Sequence, residues 1–465
     1  MRRCGASMAD PSGRGGLVRA SSHAAVARAL RASGRVLAVL LVARVYGVDA
    51  VASFAFAYTV ATLVGLVTDL GASEHAVREI GGRPHEGAEI TRAVVVLRLV
   101  SVLPAFAIAY AIVALSSEDA PPVGAIAFAL AGSVSETFAA VRRGHARHDL
   151  EAAECSLPLL ALGGGAVATM AGASAAGFDR ALAATAIGVV AIRGGLFLMT
   201  RGLPTWSGAR QLIRDSGWLF ARAVLTLALI ELPVILMQPL STSRELAAYA
   251  VAARPVGLMM QTLAVIAIVY LPLLARAAVV EPHALVAHTR RLNLLHIAAV
   301  PAAFAACVVG GDVLIAISGD GFEGARTVVA ALAIATLLYA GTLSSLPLIV
   351  LRRERLVVAA AGAGCVALLG AAFVLIPRWG ALGAAAAAGA GFAACKVVLV
   401  RAYRALQLPV IDRTQAVGIL VACAAIVGYL VAPRTLAYLP LAAGAAVSAV
   451  WSLALLRAAR RPRAS

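Results

Sequence analysis

The chain has 465 residues, of which 61% are hydrophobic and 14% charged, and its mean hydropathy of +0.90 excludes a water-soluble core. The formal net charge of +17 invites a nucleic-acid reading, but the arginines stand in small groups between apolar segments, where they flank a membrane. No nucleic-acid partner is therefore expected.

Apolar stretches of about 20 residues recur about fourteen times, each long enough to cross a hydrocarbon layer of ~30 Å. In chain order the expected helices are 24–46, 51–73, 93–115, 122–144, 154–173, 180–200, 217–240, 246–275, 292–316, 327–350, 356–376, 381–403, 415–433 and 436–456. Residues 1–22 are polar and rich in Gly, Ser and Arg, without an apolar signal segment, and read as a disordered tail.

Arginine crowds every second gap. Arg78, Arg83 and Arg92 fill one such gap, Arg142, Arg143 and Arg147 the next, and Arg352, Arg353 and Arg355 a later one. The alternate gaps hold only Arg180, Arg244, Arg326, Arg378 and Arg434. Loops retained in the cytoplasm carry the positive charge, so both termini are expected inside.

Several chemistries lack their residues. Lys396 is the sole lysine and Val397 follows it, whereas a phosphate-cradling loop needs Gly-Lys-Ser or Gly-Lys-Thr. Cys4, Cys155, Cys307, Cys365, Cys395 and Cys423 show no metal-ligand spacing, and His145 and His148 read as loop residues. The outer gaps are too short for a catalytic domain. No enzyme activity, cofactor or metal is expected.

The chain also carries a faint repeat. Ala50-Val-Ala-Ser-Phe-Ala-Phe-Ala is similar to Glu245-Leu-Ala-Ala-Tyr-Ala-Val-Ala, and Thr91-Arg92 to Thr289-Arg290. The expected fold is all-α and polytopic: two homologous six-helix lobes (23–201 and 214–404) around a central cleft. Two further helices (415–456) and a tail (457–465) follow. An even number of helices per copy gives both lobes one orientation.

The first two helices carry Leu41-Val-Ala-Arg44-Val-Tyr-Gly47, then Phe54-Ala-Phe-Ala-Tyr58, then Thr68-Asp69-Leu70-Gly71-Ala72. This pattern resembles the polysaccharide-transporter family, the lipid-linked oligosaccharide flippases of the multidrug/oligosaccharidyl-lipid/polysaccharide exporter superfamily. Ser53 departs from it, since the family usually has Gly after the outer turn. The resemblance implies a V-shaped, two-lobed transporter working by alternating access in the cytoplasmic membrane of a bacterium.

Charge inside hydrocarbon costs at least ~2.5–3.5 kcal/mol and needs a reason. Arg31, Arg98, Arg193, Arg222 and Lys396 lie in the inner third, where long side chains snorkel to headgroups. Arg44 lies on the face opposite Arg35 and reads as a packing residue. Arg35, Glu231 and Arg254 sit near mid-depth. Gln238 shares a face with Glu231, Gln261 with Arg254, and Tyr58, Thr62 and Asp69 form a polar stripe on helix 2. In the resembled family these four helices line the central cleft. Applying the repeat offset sets Arg35 opposite Glu231.

Arg35 and Arg254, with Gln261, Tyr58 and Thr62, are thus the candidates for binding a lipid diphosphate. Glu231, Gln238 and Asp69 are those for charge balance or for coupling to a proton or Na⁺. The expected partners are the bilayer, an anionic lipid-linked glycan and other polysaccharide-assembly proteins. The alternatives are an ion-coupled exporter of cationic drugs, a peptidoglycan-precursor flippase and, less favoured, a membrane-embedded glycan polymerase.

Overall fold

The computed structural model describes residues 14–410, apart from 83–85, 118–119, 146, 202–215, 281 and 341–343, together with a few positions beyond 410. The expected helices at 415–433 and 436–456, apart from those few positions, and the tail at 457–465 lie outside the described residues. Every described element is helical. The helices are α1 (Arg14–Asp69), α2 (Ala72–Gly82), α3 (Gly87–Ser116), α4 (Val123–Gly144), α5 (His148–Met170) and α6 (Ala175–Arg201). They continue with α7 (Gly217–Leu240), α8 (Ser243–Val280), α9 (Pro282–Ser318), α10 (Ala325–Ala340), α11 (Leu346–Val350) and α12 (Glu354–Ala405).

Two of these are bent double. In α1 the break falls at Gly47, whose φ of 81° lies in the left-handed region that favours glycine. Along one continuous helix, residues 35 and 58 would stand roughly 35 Å apart at 1.5 Å per residue. Instead the Arg35 guanidinium carbon lies 5.5 Å from the centroid of the Tyr58 ring, so the chain turns back at Gly47. In α12 the break is at Gly380, with φ 53°. There Glu245 on α8 accepts a hydrogen bond from the Ala381 amide at 2.8 Å. The two arms of α12 then run in close contact: a methyl on Gly364 would fall 2.8 Å from the Gly391 carbonyl oxygen. Small residues let the backbones approach this far.

With those turns counted, the described elements supply a segment for each of the first twelve expected helices. Two differences are local. The helix begins at Arg14, inside the stretch read as a tail; Leu17, Val18, Ala20 and Ala24 through Ala27 continue a helix-compatible run. The second expected helix stops at Asp69 rather than 73, and a short amphipathic helix, α2, follows. The cause is a turn. Leu70 and Gly71 both take positive φ, and Asp69 accepts hydrogen bonds from the Ser73 amide (3.1 Å) and hydroxyl (2.7 Å). The Asp-Leu-Gly sequence is thus a helix stop and the side-chain cap of the next helix.

Eight described helices are long and apolar enough to cross a membrane. Their outward faces keep large apolar side chains exposed, among them Val100, Leu103 and Leu115 on α3 and Val366 and Phe373 on α12. A soluble protein of this size does not leave such a surface uncovered; a bilayer covers it. The protein is an all-α, polytopic membrane protein.

The helices gather into two bundles. α1 to α6 pack on one another, and α7 to α12 do likewise. α1 makes most of the contact between them, against α7, α8 and α9. The bundles meet at both ends. At the Gly47 end, a methyl on Gly319 would fall 3.2 Å from the Arg44 guanidinium, and one on Gly321 would fall 3.1 Å from Val48. At the α2 end, Glu74 pairs with Arg222, and Gly71 packs against the backbone of Phe220.

Candidate functional site

Between those ends, charged side chains meet at mid-depth. The first arm of α1 supplies Arg35 and the second arm supplies Tyr58 and Thr59. α7 supplies Glu231, and α8 supplies Tyr249 and Arg254. Arg35 Nη1 lies 3.6 Å from Glu231 Oε1, an ion pair that spans the two bundles. The second carboxylate oxygen of Glu231 accepts from the Thr59 hydroxyl at 3.5 Å. The Arg35 guanidinium also rests over the face of Tyr58, whose ring is fixed by Phe54 and Phe128. Such cation–π contact supports a guanidinium with few waters around it.

Arg254 lies within electrostatic reach of Glu231, Arg35, Tyr58 and Tyr249. Its Nε donates to the Ala250 carbonyl one turn back at 3.1 Å. The group therefore holds two guanidinium charges and one carboxylate, an excess of one positive charge. Glu231 is 9% exposed and Tyr58 6%, whereas the Arg35 side chain is 37% exposed. The carboxylate is enclosed and one of its cations faces open space. At 3.6 Å the Arg35–Glu231 contact is too long for a hydrogen bond, so the N–H fork remains available to another acceptor.

The other candidates fall outside this group. The Thr62 hydroxyl donates to the Tyr58 carbonyl of its own helix at 2.8 Å. Gln261, expected beside Arg254, instead accepts from Arg28 Nη1 at 2.8 Å, a second tie between the bundles. Asp69 lies at the turn into α2, where it also reaches the Thr137 hydroxyl at 3.5 Å. Gln238 is half-buried on α7, seven residues from Glu231 toward the Gly47 end.

Thr59 and Tyr249 were not among the sequence candidates. Thr59 precedes Thr62 by less than a turn, and only the tertiary position of Glu231 marks it out. Nor did the sequence foresee how the α2 end handles its charges. Arg31, Arg193 and Arg222 pair with Glu136, Glu154 and Glu74. Arg98 is 2% exposed and donates to the Gly65 carbonyl and the Ser133 hydroxyl. Carboxylates and carbonyls on neighbouring helices supply the acceptors that a desolvated guanidinium needs.

Solved structures share this architecture. The chain resembles the lipid II flippase MurJ in an inward closed conformation, with 12% identity and a TM-score of 0.62 over 96% of this chain and 100% of that one. It also resembles an outward-facing multidrug resistance MATE family transporter of the MOP superfamily (14% identity, TM-score 0.58, 84% of this chain and 95% of that one). A third likeness is to a MOP superfamily transporter from Pyrococcus furiosus, described as having a binding pocket of reverse polarity. It has 15% identity and a TM-score of 0.56, over 84% of this chain and 95% of that one. At these identities the likeness is one of fold. No curated protein matches the chain. The model of the polysaccharide biosynthesis protein family covers residues 35–278, more than half of the sequence and every residue of the mid-depth group, and the chain belongs to that family.

Proposed function

We propose that the protein is a flippase: it carries a polyprenyl-diphosphate oligosaccharide from the inner to the outer leaflet of a bacterial cytoplasmic membrane by alternating access. The observation that carries this reading is the charge at mid-depth, two arginines facing one carboxylate where the two bundles meet. In the empty site Glu231 offsets one of the two positive charges. A diphosphate, with about two negative charges, matches the guanidinium forks in geometry as well as in sign. Gln261, Tyr58 and Thr62 line its approach, and Glu231, with Gln238 and Asp69, balances charge or couples the cycle to a proton or Na⁺.

In this reading residues 23–201 and 214–404 are the two lobes, residues 415–456 add two helices, and both termini face the cytoplasm. The arginine distribution supports that orientation. The inside-negative potential then helps an anion outward, by ~2.3 kcal/mol per charge at 100 mV. The family is one of polysaccharide biosynthesis, which supports a glycan as the cargo.

A site for cationic drugs on the same fold would need net negative charge at mid-depth, and here the net charge is positive. Proteoliposomes holding a fluorescent polyprenyl-diphosphate oligosaccharide separate the two readings. The proposal expects faster loss of leaflet asymmetry with the protein present and no uptake of cationic dyes. Dye transport without flipping would overturn it.

A further inference from the structure

A second charged space lies at the α2 end of the first bundle. It is a cavity of 260 Å³ lined by Arg28 and Arg31 of α1, Ser133 and Arg143 of α4, Ser73 of α2 and Ala223 of α7, among others. At ~30 Å³ per water in the liquid it would hold roughly eight waters, room enough for a diphosphate group. Its wall therefore includes both bundles, and it is bounded by both of the ties that close this end. Those are Arg28 with Gln261 and Arg222 with Glu74.

The carboxylates around this space are engaged. Glu136 holds Arg31 and Arg143, Glu151 holds Arg143, Glu74 holds Arg222, and Asp69 caps α2 at Ser73. Arg28 is bonded to a neutral amide, at 2.8 Å. The lining carries three arginines, Arg28, Arg31 and Arg143, against three carboxylates, Asp69, Glu74 and Glu136, and among the described residues Arg28 is the one of these arginines not paired with a carboxylate. A cation would find its ligands taken. An anion would find a guanidinium whose present partner offers a dipole and no charge, so that the exchange gains a charge-assisted hydrogen bond.

Position gives the space a use. Arg28, Arg31 and Arg35 stand at i, i+3 and i+7 on one face of α1, so Arg28 lies only ~10 Å along the axis from the central arginine. We propose that this cavity is a separate anion site, the first station for a phosphate or diphosphate group. Its filling draws Arg28 away from Gln261 and so loosens a tie between the bundles. The identity of the anion as a carrier-lipid headgroup rests on the flippase reading; the existence of the site does not.

The test uses the full chain with its own cysteines replaced, purified in nanodiscs, with Val77→Cys on the cavity wall as reporter. Labelling by a charged thiol reagent is followed while inorganic diphosphate or polyprenyl diphosphate is added. We expect both to protect Cys at position 77, with the concentration needed rising about 10-fold or more in Arg28→Gln and unchanged in Arg254→Ala. Protection by the lipid at much lower concentration than by inorganic diphosphate assigns the site to the headgroup. Equal protection assigns it to the free anion, and both results support an anion station. Labelling that proceeds at the same rate with either ligand, or protection that survives Arg28→Gln unchanged, would overturn it. Loss of protection in Arg254→Ala alone would also overturn it, since the central site would then account for the binding. The flippase reading fails on a different result: absence of flipping in proteoliposomes.

Discussion

Arg35 and Glu231 face each other across the junction of the two bundles, their nearest atoms 3.6 Å apart. Each bundle contributes one charge, so the pair exists only while the bundles are together at mid-depth. Two roles are separable by a double-mutant cycle. A latch that also binds substrate predicts that Arg35→Ala loses substrate affinity while thermal stability falls by less than about 1 kcal/mol. A static brace predicts a larger loss of stability in Arg35→Ala, because Glu231 is left buried without its cation, and partial rescue by Glu231→Ala. Melting curves of the three variants decide between them.

Glu231 is the enclosed carboxylate of this group, held by Thr59 at 3.5 Å. If it takes up and releases a proton in each cycle, Glu231→Gln fixes the neutral form. The variant is then expected to insert and bind substrate, yet to flip it slowly and without the pH dependence of the parent. Wild-type flux at every pH would remove Glu231 from the coupling step.

Arg98 gives a contrast between structural and exposed arginine. It is 2% exposed and ties the second arm of α1 to α4 through the Gly65 carbonyl and Ser133. Removing it breaks two hydrogen bonds from a charged group, worth ~1.5–3 kcal/mol each. Arg98→Ala should therefore lower the melting temperature clearly. Arg44→Ala, at an exposed position packed on Gly319, should leave it nearly unchanged. Equal melting temperatures for the two would contradict the assignment of Arg98 as an internal tie.

Orientation has its own check. Cysteines placed singly at Asp49, Arg244 and Asp320, in a chain without its native six, should react with an impermeant thiol reagent added outside intact cells. Cysteines at Arg143 and Arg353 should react only after permeabilisation. The reverse pattern would place both termini outside.

Much of the fold was legible because apolar length and the arginine alternation are properties of single segments, which a bilayer forces into helices. Gly47 and Gly380 read as turns for the same reason: the segments on either side are each long enough to cross. The α2 helix has no such signal. Its 11 residues are too short and too polar to register as a span, and only the capping of Ser73 by Asp69 reveals it. Side-chain partners were harder. Helical spacing sets Arg28, Arg31 and Arg35 on one face of α1, but it cannot say which helix faces them. Gln261 shares a helix face with Arg254, yet it bonds to Arg28 in the structure. The same limit concealed Glu136 and Glu154, whose partners Arg31 and Arg193 come from helices distant in sequence.

The central claim is that Arg35 and Arg254 grip a diphosphate through their planar forks. It is tested most directly by the affinity of purified, monodisperse variants for polyprenyl diphosphate. Lys keeps the charge and loses the fork, so Arg35→Lys and Arg254→Lys should each bind more weakly than the parent, and the Ala variants more weakly still. For Ala the expected loss is about 10- to 150-fold, the value of a lost charge-assisted hydrogen bond of ~1.5–3 kcal/mol. Parental affinity in both Arg35→Ala and Arg254→Ala, with folding intact, would contradict the account.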